Sequence, residues 1–264
     1  MHSPSVDWPE AVTVLNEHGR SPIVLTCEHA SRHIPAEYAD LGLPPRELER
    51  HIAWDIGAGA LTRSLSAALD APAFLGTYSR LLIDLNRPLD SPTSIPERSE
   101  ATDIPGNRDL APAERRRRAD RIFHPFQQRL SAFLDARARS RRPTAIVAVH
   151  SFTPVFHGHA RPWHAGILFS HSKELAEALL SALAEEKDLV LAANEPYTIE
   201  RASDYTVPVH GEDRGIPAVL LEIRQDLLAD RAGVAEWSKR LTTALRAVLG
   251  DSPTSRATPG HVAP

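Results

Sequence analysis

The sequence predicts an α/β protein: three α/β/α layers around a mainly parallel, mixed sheet. Three observations lead there. Short apolar runs of strand length recur along the chain, segments with helical spacing separate them, and no repeat or linker divides the sequence. Strands that alternate with helices favour a parallel sheet covered on both faces. A length of 264 residues is ample for one domain with a sizeable core.

Taken in order, residues 1–20 read as a loose N-terminal arm, and 21–250 as a single α/β domain. Ile23–Thr26, Ala73–Tyr78, Leu81–Leu85, Thr144–Val149, Gly166–Ser170, Leu189–Ala192 and Pro217–Ile223 suit buried strands by length and aliphatic content. Ile56, Ala60, Leu61, Leu65, Ala68 and Leu69 repeat at helical spacing. So do Ile122, Phe126, Leu130, Phe133 and Leu134, where Pro125 should kink or shorten the helix. Leu175–Leu183 and Val234–Val248 make two more helices, the last with Gly250 placed to end it. Prolines at 92, 96, 105 and 112 mark a long surface loop over 90–112, a length often tied to function. The run Glu114–Arg118 reads as a solvated helix face. Residues 251–264, rich in Pro, Ser and Thr, read as a disordered tail.

Composition removes several classes. Thirty basic against 34 acidic side chains, a net charge of −4, argue against a dedicated nucleic-acid binder, which rests on basic surface. No run approaches a transmembrane span, and no basic region leads into an apolar one near Met1. The single cysteine, Cys27, suits a reducing compartment. A soluble cytoplasmic protein is expected, acting on a small molecule and not on nucleic acid or membrane. Its oligomeric state is left open.

Ligands of open α/β sheets bind beyond the carboxyl ends of the strands. There the first strand runs into Glu28-His29, a later one into His150-Ser151, and the last carries Glu222 and Arg224. Two neutral imidazoles with one carboxylate form a common catalytic zinc set, with one position left for water. Asp55, where a helix is expected to begin, is the favoured third ligand. Glu28 is its rival, although on an extended chain it points away from His29. Cys27 and His29 also lie two apart, which opens a cysteine-nucleophile reading. No P-loop, HExxH or GxSxG motif occurs.

Five segments, in order, resemble the N-formylglutamate amidohydrolase family: Thr26–Ser31 with Ile34-Pro35, His51–Ala58, Ile83–Pro88, Val149–Pro154 and Glu222–Leu227. The resemblance spans about Ser21 to Leu228. It implies a phosphorylase/hydrolase-like fold and metal-dependent hydrolysis of an N-acyl amino acid, with N-formyl-L-glutamate giving formate and L-glutamate in histidine breakdown. It also implies zinc, or another divalent metal, on His29, Asp55 and His150, with Glu222 as general base. A dicarboxylate substrate calls for arginine forks, so Arg80, Asn86, Arg87, Arg161 and Arg224, with His210, are expected to bind substrate. Asp84 and Glu28 are expected behind the ligands, Asp84 orienting an arginine or a metal-binding histidine. Other outcomes carried forward are a different zinc amidase or N-acyl deacylase, peptidoglycan-type included, and a non-catalytic protein that binds a carboxylate ligand.

Overall fold

Strands of continuous apolar sequence pair at the centre of the molecule, in a computed structural model that describes residues 7–250. The tail expected over 251–264 lies outside the described residues. The central sheet has seven strands: β1 (Val12–Leu15), β2 (Ile23–Cys27), β3 (Ala73–Gly76), β6 (Ala145–Phe152), β9 (Ala165–Leu168), β10 (Leu191–Ala193) and β11 (Ala218–Arg224). Their order is β1-β3-β2-β6-β11-β9-β10. β3, β2, β6 and β11 are parallel neighbours, as are β9 and β10. β1 on β3 and β9 on β11 are antiparallel, which makes the sheet mixed. Two further hairpins, β4 (Arg98–Ser99) with β5 (Thr102–Asp103) and β7 (Val155–Phe156) with β8 (His159–Ala160), stand apart from it.

The helices are α1 (Pro45–Leu48), α2 (Ala58–Leu69), α3 (Pro112–Arg118), α4 (His124–Arg139), α5 (Lys173–Leu183) and α6 (Arg231–Leu249). Side chains alternate across a strand, so each central strand feeds two cores. Ile23, Leu25, Val147, Val149, Val219 and Leu221 meet α2, α5 and α6 through Leu61, Leu65, Leu179, Trp237 and Leu241. Val24, Phe74, Ile146, Ala148 and Leu220 meet the other layer through Ile122, Phe126 and Leu130. Each fully buried Leu, Ile or Phe contributes about 1.5–3 kcal/mol. The result is the three-layer α/β/α arrangement. α6 opens on Asp230, whose carboxylate accepts from Gly233 N at 2.9 Å, and closes at Gly250 with φ +80°.

Four expectations need correction. Val12–Leu15 belong to the sheet as an edge strand, not to a loose arm. Leu81–Leu85 form no strand, because buried side chains replace a ladder: Asn107 donates to Leu81 O at 2.8 Å, Arg118 to Leu82 O at 3.0 Å and Gln127 to Leu85 O at 2.7 Å. Arg118 is therefore no part of a solvated face; it is 1% exposed and also reaches Asn107 Oδ1 and Glu114. The 90–112 loop is partly internal, with Ser94, Ile95, Ile104 and Asn107 buried. At Pro125 the expected interruption takes the form of a π-helical turn over Ala119–Phe123, which joins α3 to α4, with the proline in the first turn of α4, where it cannot donate to the turn before it.

Candidate active site

The parallel order β2-β6-β11 sets three strand ends side by side. His150 and Glu222 are directly paired positions of β6 and β11, so the period of two turns both side chains to one face. His29 follows β2 by two residues. Asp55 is tied to it by a backbone bond, Asp55 N donating to His29 O at 3.0 Å. α2 starts three residues later than Asp55, after Gly57 with φ +80°. A side chain at Gly57 would put its Cβ 2.3 Å from Leu228 Cβ, so this turn needs glycine.

The cleft, of about 400 Å³, is lined by His29, Asp55, Arg80, Asp84, His150 and Glu222 among others. His150 Nδ1 is 2.8 Å and His29 Nδ1 3.3 Å from the same Asp55 oxygen, Oδ2. The outer nitrogens are taken. His150 Nε2 lies 2.9 Å from Glu28 Oε2, and His29 Nε2 lies 2.8 Å from Asp84 Oδ1. An imidazole whose Nε2–H donates to a carboxylate keeps its Nδ1 lone pair for a cation. One ligand atom each from His29, Asp55 and His150 falls within 4.8 Å of the others, and all three residues are buried. Glu28 stands on the far side of His150, held also by Thr206 Oγ1 at 2.7 Å. This donor set fits zinc or a similar divalent metal.

Charge is balanced tightly around the cluster. Arg80 donates to Asp84 Oδ2 at 2.8 and 3.0 Å and to Asp55 Oδ1 at 3.3 Å. Burial alone would raise both carboxyls, but Arg80 at Asp84 and the imidazoles at Asp55 outweigh it and hold both well below the usual range. Glu28 is brought down to about 2 in the same way, its hydrogen bond to His150 overcoming burial. His150 is held well above the usual imidazole value, since Asp55 and Glu28 outweigh burial there. Glu222 behaves oppositely. Among the described residues its buried Oε2 has no hydrogen-bond partner, and burial pushes its carboxyl up to about 8.

The other expected residues divide. Asn86 and Arg87 line the cleft, but both are engaged: Asn86 Oδ1 accepts from Thr206 N at 2.9 Å, and Arg87 reaches Asp204 at 3.1 Å. Arg161 is not itself a lining residue; it sits at the edge of the cleft, beside the lining aromatics Phe156 and Tyr197. Arg224 pairs with Asp226 at 2.8 Å, and its side chain does not line the cleft. His210 does not line it either. It is 2% exposed, its Nε2 is 2.7 Å from Gln127 Oε1, and burial pulls it down to about 4. Cys27 packs with α2 in the opposite core, where burial pushes its thiol up. The strand ends at Cys27, so His29 no longer shares its side, and the cysteine-nucleophile reading falls. Asp204, Tyr197 and Glu100 complete the cleft lining from loops and turns, and Thr206 supports Glu28 from the start of a π-helical turn over Thr206–Gly211; no local sequence pattern marks any of them.

Comparison with known proteins agrees with this architecture. The sequence model of the N-formylglutamate amidohydrolase family matches residues 21–229. A gene product of Agrobacterium tumefaciens, known by its crystal structure, is 38% identical over 93% of this chain and 97% of its own, with a TM-score of 0.89. The N-formylglutamate amidohydrolase of Ralstonia eutropha shares the fold at a TM-score of 0.71 and 20% identity, over 90% of this chain and 97% of its own. No match is found among curated proteins. The chain belongs to the N-formylglutamate amidohydrolase family, hydrolases of carbon–nitrogen amide bonds.

Proposed function

We propose that this protein is a metal-dependent amidohydrolase that removes the N-acyl group of a small acidic amino acid, N-formyl-L-glutamate first among them, releasing formate and L-glutamate. The observation that carries the reading is a convergence. Two imidazole Nδ1 atoms and one Asp55 oxygen share a buried gap, and Glu222, whose Oε2 has no hydrogen-bond partner among the described residues, lines the same cleft.

His29, Asp55 and His150 hold the metal in this account. A divalent ion such as zinc, when bound there, supplies Lewis-acid polarisation of the amide carbonyl and a water of lowered pKa. Asp84 and Glu28 fix the two imidazoles from behind, a contact that commonly sets ring orientation and ligand basicity. Glu222 takes the proton from the attacking water and returns it to the leaving amine. A carboxyl lifted to about 8 by burial lies near neutral pH, which suits a group that both accepts and donates. Arg80 stabilises the ligand carboxylates from the side, its charge committed to Asp55 and Asp84.

Metal content of the purified protein, measured beside His150→Ala, tests the reading. About one zinc per chain is expected in the parent, as for a three-ligand catalytic site, and little in the variant. A parent that binds no divalent ion after reconstitution would end it.

A further inference from the structure

Recognition of a carboxylate substrate needs a cation whose charge is not already spent. Of the arginines around the cleft, Arg80 is committed to Asp55 and Asp84, and Arg87 to Asp204. Arg98 faces Asp103 at 3.7 Å from an exposed position. Arg161 differs. Among the described residues it makes no ion pair; its contacts are the Tyr197 hydroxyl at 2.9 Å and three aromatic rings, and Glu222 feels its charge only from further off.

Those rings fix it in place. The guanidinium carbon lies 4.4 Å from the centroid of Phe156, 4.8 Å from Tyr197 and 5.9 Å from Phe152, and all three rings line the cleft. Aromatic faces orient a cation without neutralising it, and a fork held in advance loses little entropy when it closes on a carboxylate. The fold builds this placement. Gly166 is the position of β9 paired with Glu222, and a Cβ there would lie 1.7 Å from Glu195 O. The missing side chain lets the 195–197 segment cross close to β9 and deliver Tyr197 to Arg161. The cleft lining holds several acids, Glu100 and Asp204 besides those already described, so an unpaired positive charge at its edge favours an entering anion.

We infer that Arg161, clamped by Phe156, Tyr197 and Phe152, is the residue that selects for a substrate carboxylate. This rests on the reading of the protein as an N-acyl amino acid hydrolase. Arg161 acts in binding and not in bond cleavage, so its loss falls on KM.

Zinc-loaded parent, Arg161→Ala and Arg161→Lys are compared on N-formyl-L-glutamate and on its α-amide and γ-amide. The parent should discriminate against one of the amides, the one lacking the carboxylate that Arg161 holds. Arg161→Ala should raise KM for the diacid roughly ten- to hundredfold, the worth of a hydrogen bond to a charged group. It should change kcat far less and lose most of the acid-over-amide preference; Arg161→Lys should recover part of both. Unchanged KM and preference in Arg161→Ala would overturn the inference while the hydrolase reading stands. Calorimetric binding of N-formyl-L-glutamate to the full chain without metal separates the two claims. Binding lost in Arg161→Ala supports the inference even if the parent hydrolyses nothing, whereas equal binding, or none by either protein, overturns it.

Discussion

His29 and His150 each spend one ring nitrogen on a carboxylate and turn the other toward Asp55. That division of labour makes two ordinary histidines candidate ligands, and it is invisible without coordinates. His210 shows the contrast. It has the same side chain and is as deeply buried, but its neighbour is the neutral Gln127, so burial depresses it to about 4 from 6.5. A depressed folded value stabilises the protein above the unfolded value, and that stability is lost as pH falls through the folded one. The window is therefore about pH 6.5 down to about 4, and the loss is on the order of 3 kcal/mol. Urea denaturation across this window should show His210→Gln losing less stability than the parent. Equal losses would contradict a neutral, core role for His210.

At the scale of elements, the strands and helices were legible because burial on both faces writes itself as apolar runs, as in Ala145–Val149 and Ala218–Leu221. The two histidines and Glu222 were legible because they sit at the ends of those runs. The segment Leu81–Leu85 was misread for a related reason: it is equally apolar and equally buried, but polar side chains from distant positions satisfy its carbonyls. Nothing local in Arg118 or Asn107 reveals that service. Tyr197 and Thr206 escaped likewise, one placed by a loop and the other by a short π-helical turn with no apolar periodicity to announce it. Arg118 is the test of this level. It braces the turns that bring Asp84 to His29, and Arg118→Met leaves Leu82 O and Asn107 Oδ1 without their donor. The expected cost is about 3 kcal/mol, or roughly 6–12 °C in Tm for a domain of this size. A change within about 1 °C, small against that scale, would show that the turns hold without it.

For the molecule as a whole, a mixed sheet with helices on both faces leaves one place where strand ends meet polar groups. The chain puts its most tightly coupled carboxylates and imidazoles there. No helix among the described residues is long and apolar enough to cross a membrane. Four arginines were expected on the substrate from charge alone; in the fold, Arg80, Arg87 and Arg224 are matched by internal carboxylates. Charge in the sequence counts cations, and only packing shows which of them remain available.

The central claim is that Glu222 moves the proton at a metal site built by His29, Asp55 and His150. The direct measurement is formate release from N-formyl-L-glutamate by zinc-loaded parent and Glu222→Gln, with zinc content determined on both samples. Turnover in the parent and a fall of roughly 10²–10⁴-fold in kcat in the variant, at equal zinc content, is the predicted result. Near-parental turnover in zinc-loaded Glu222→Gln would contradict it.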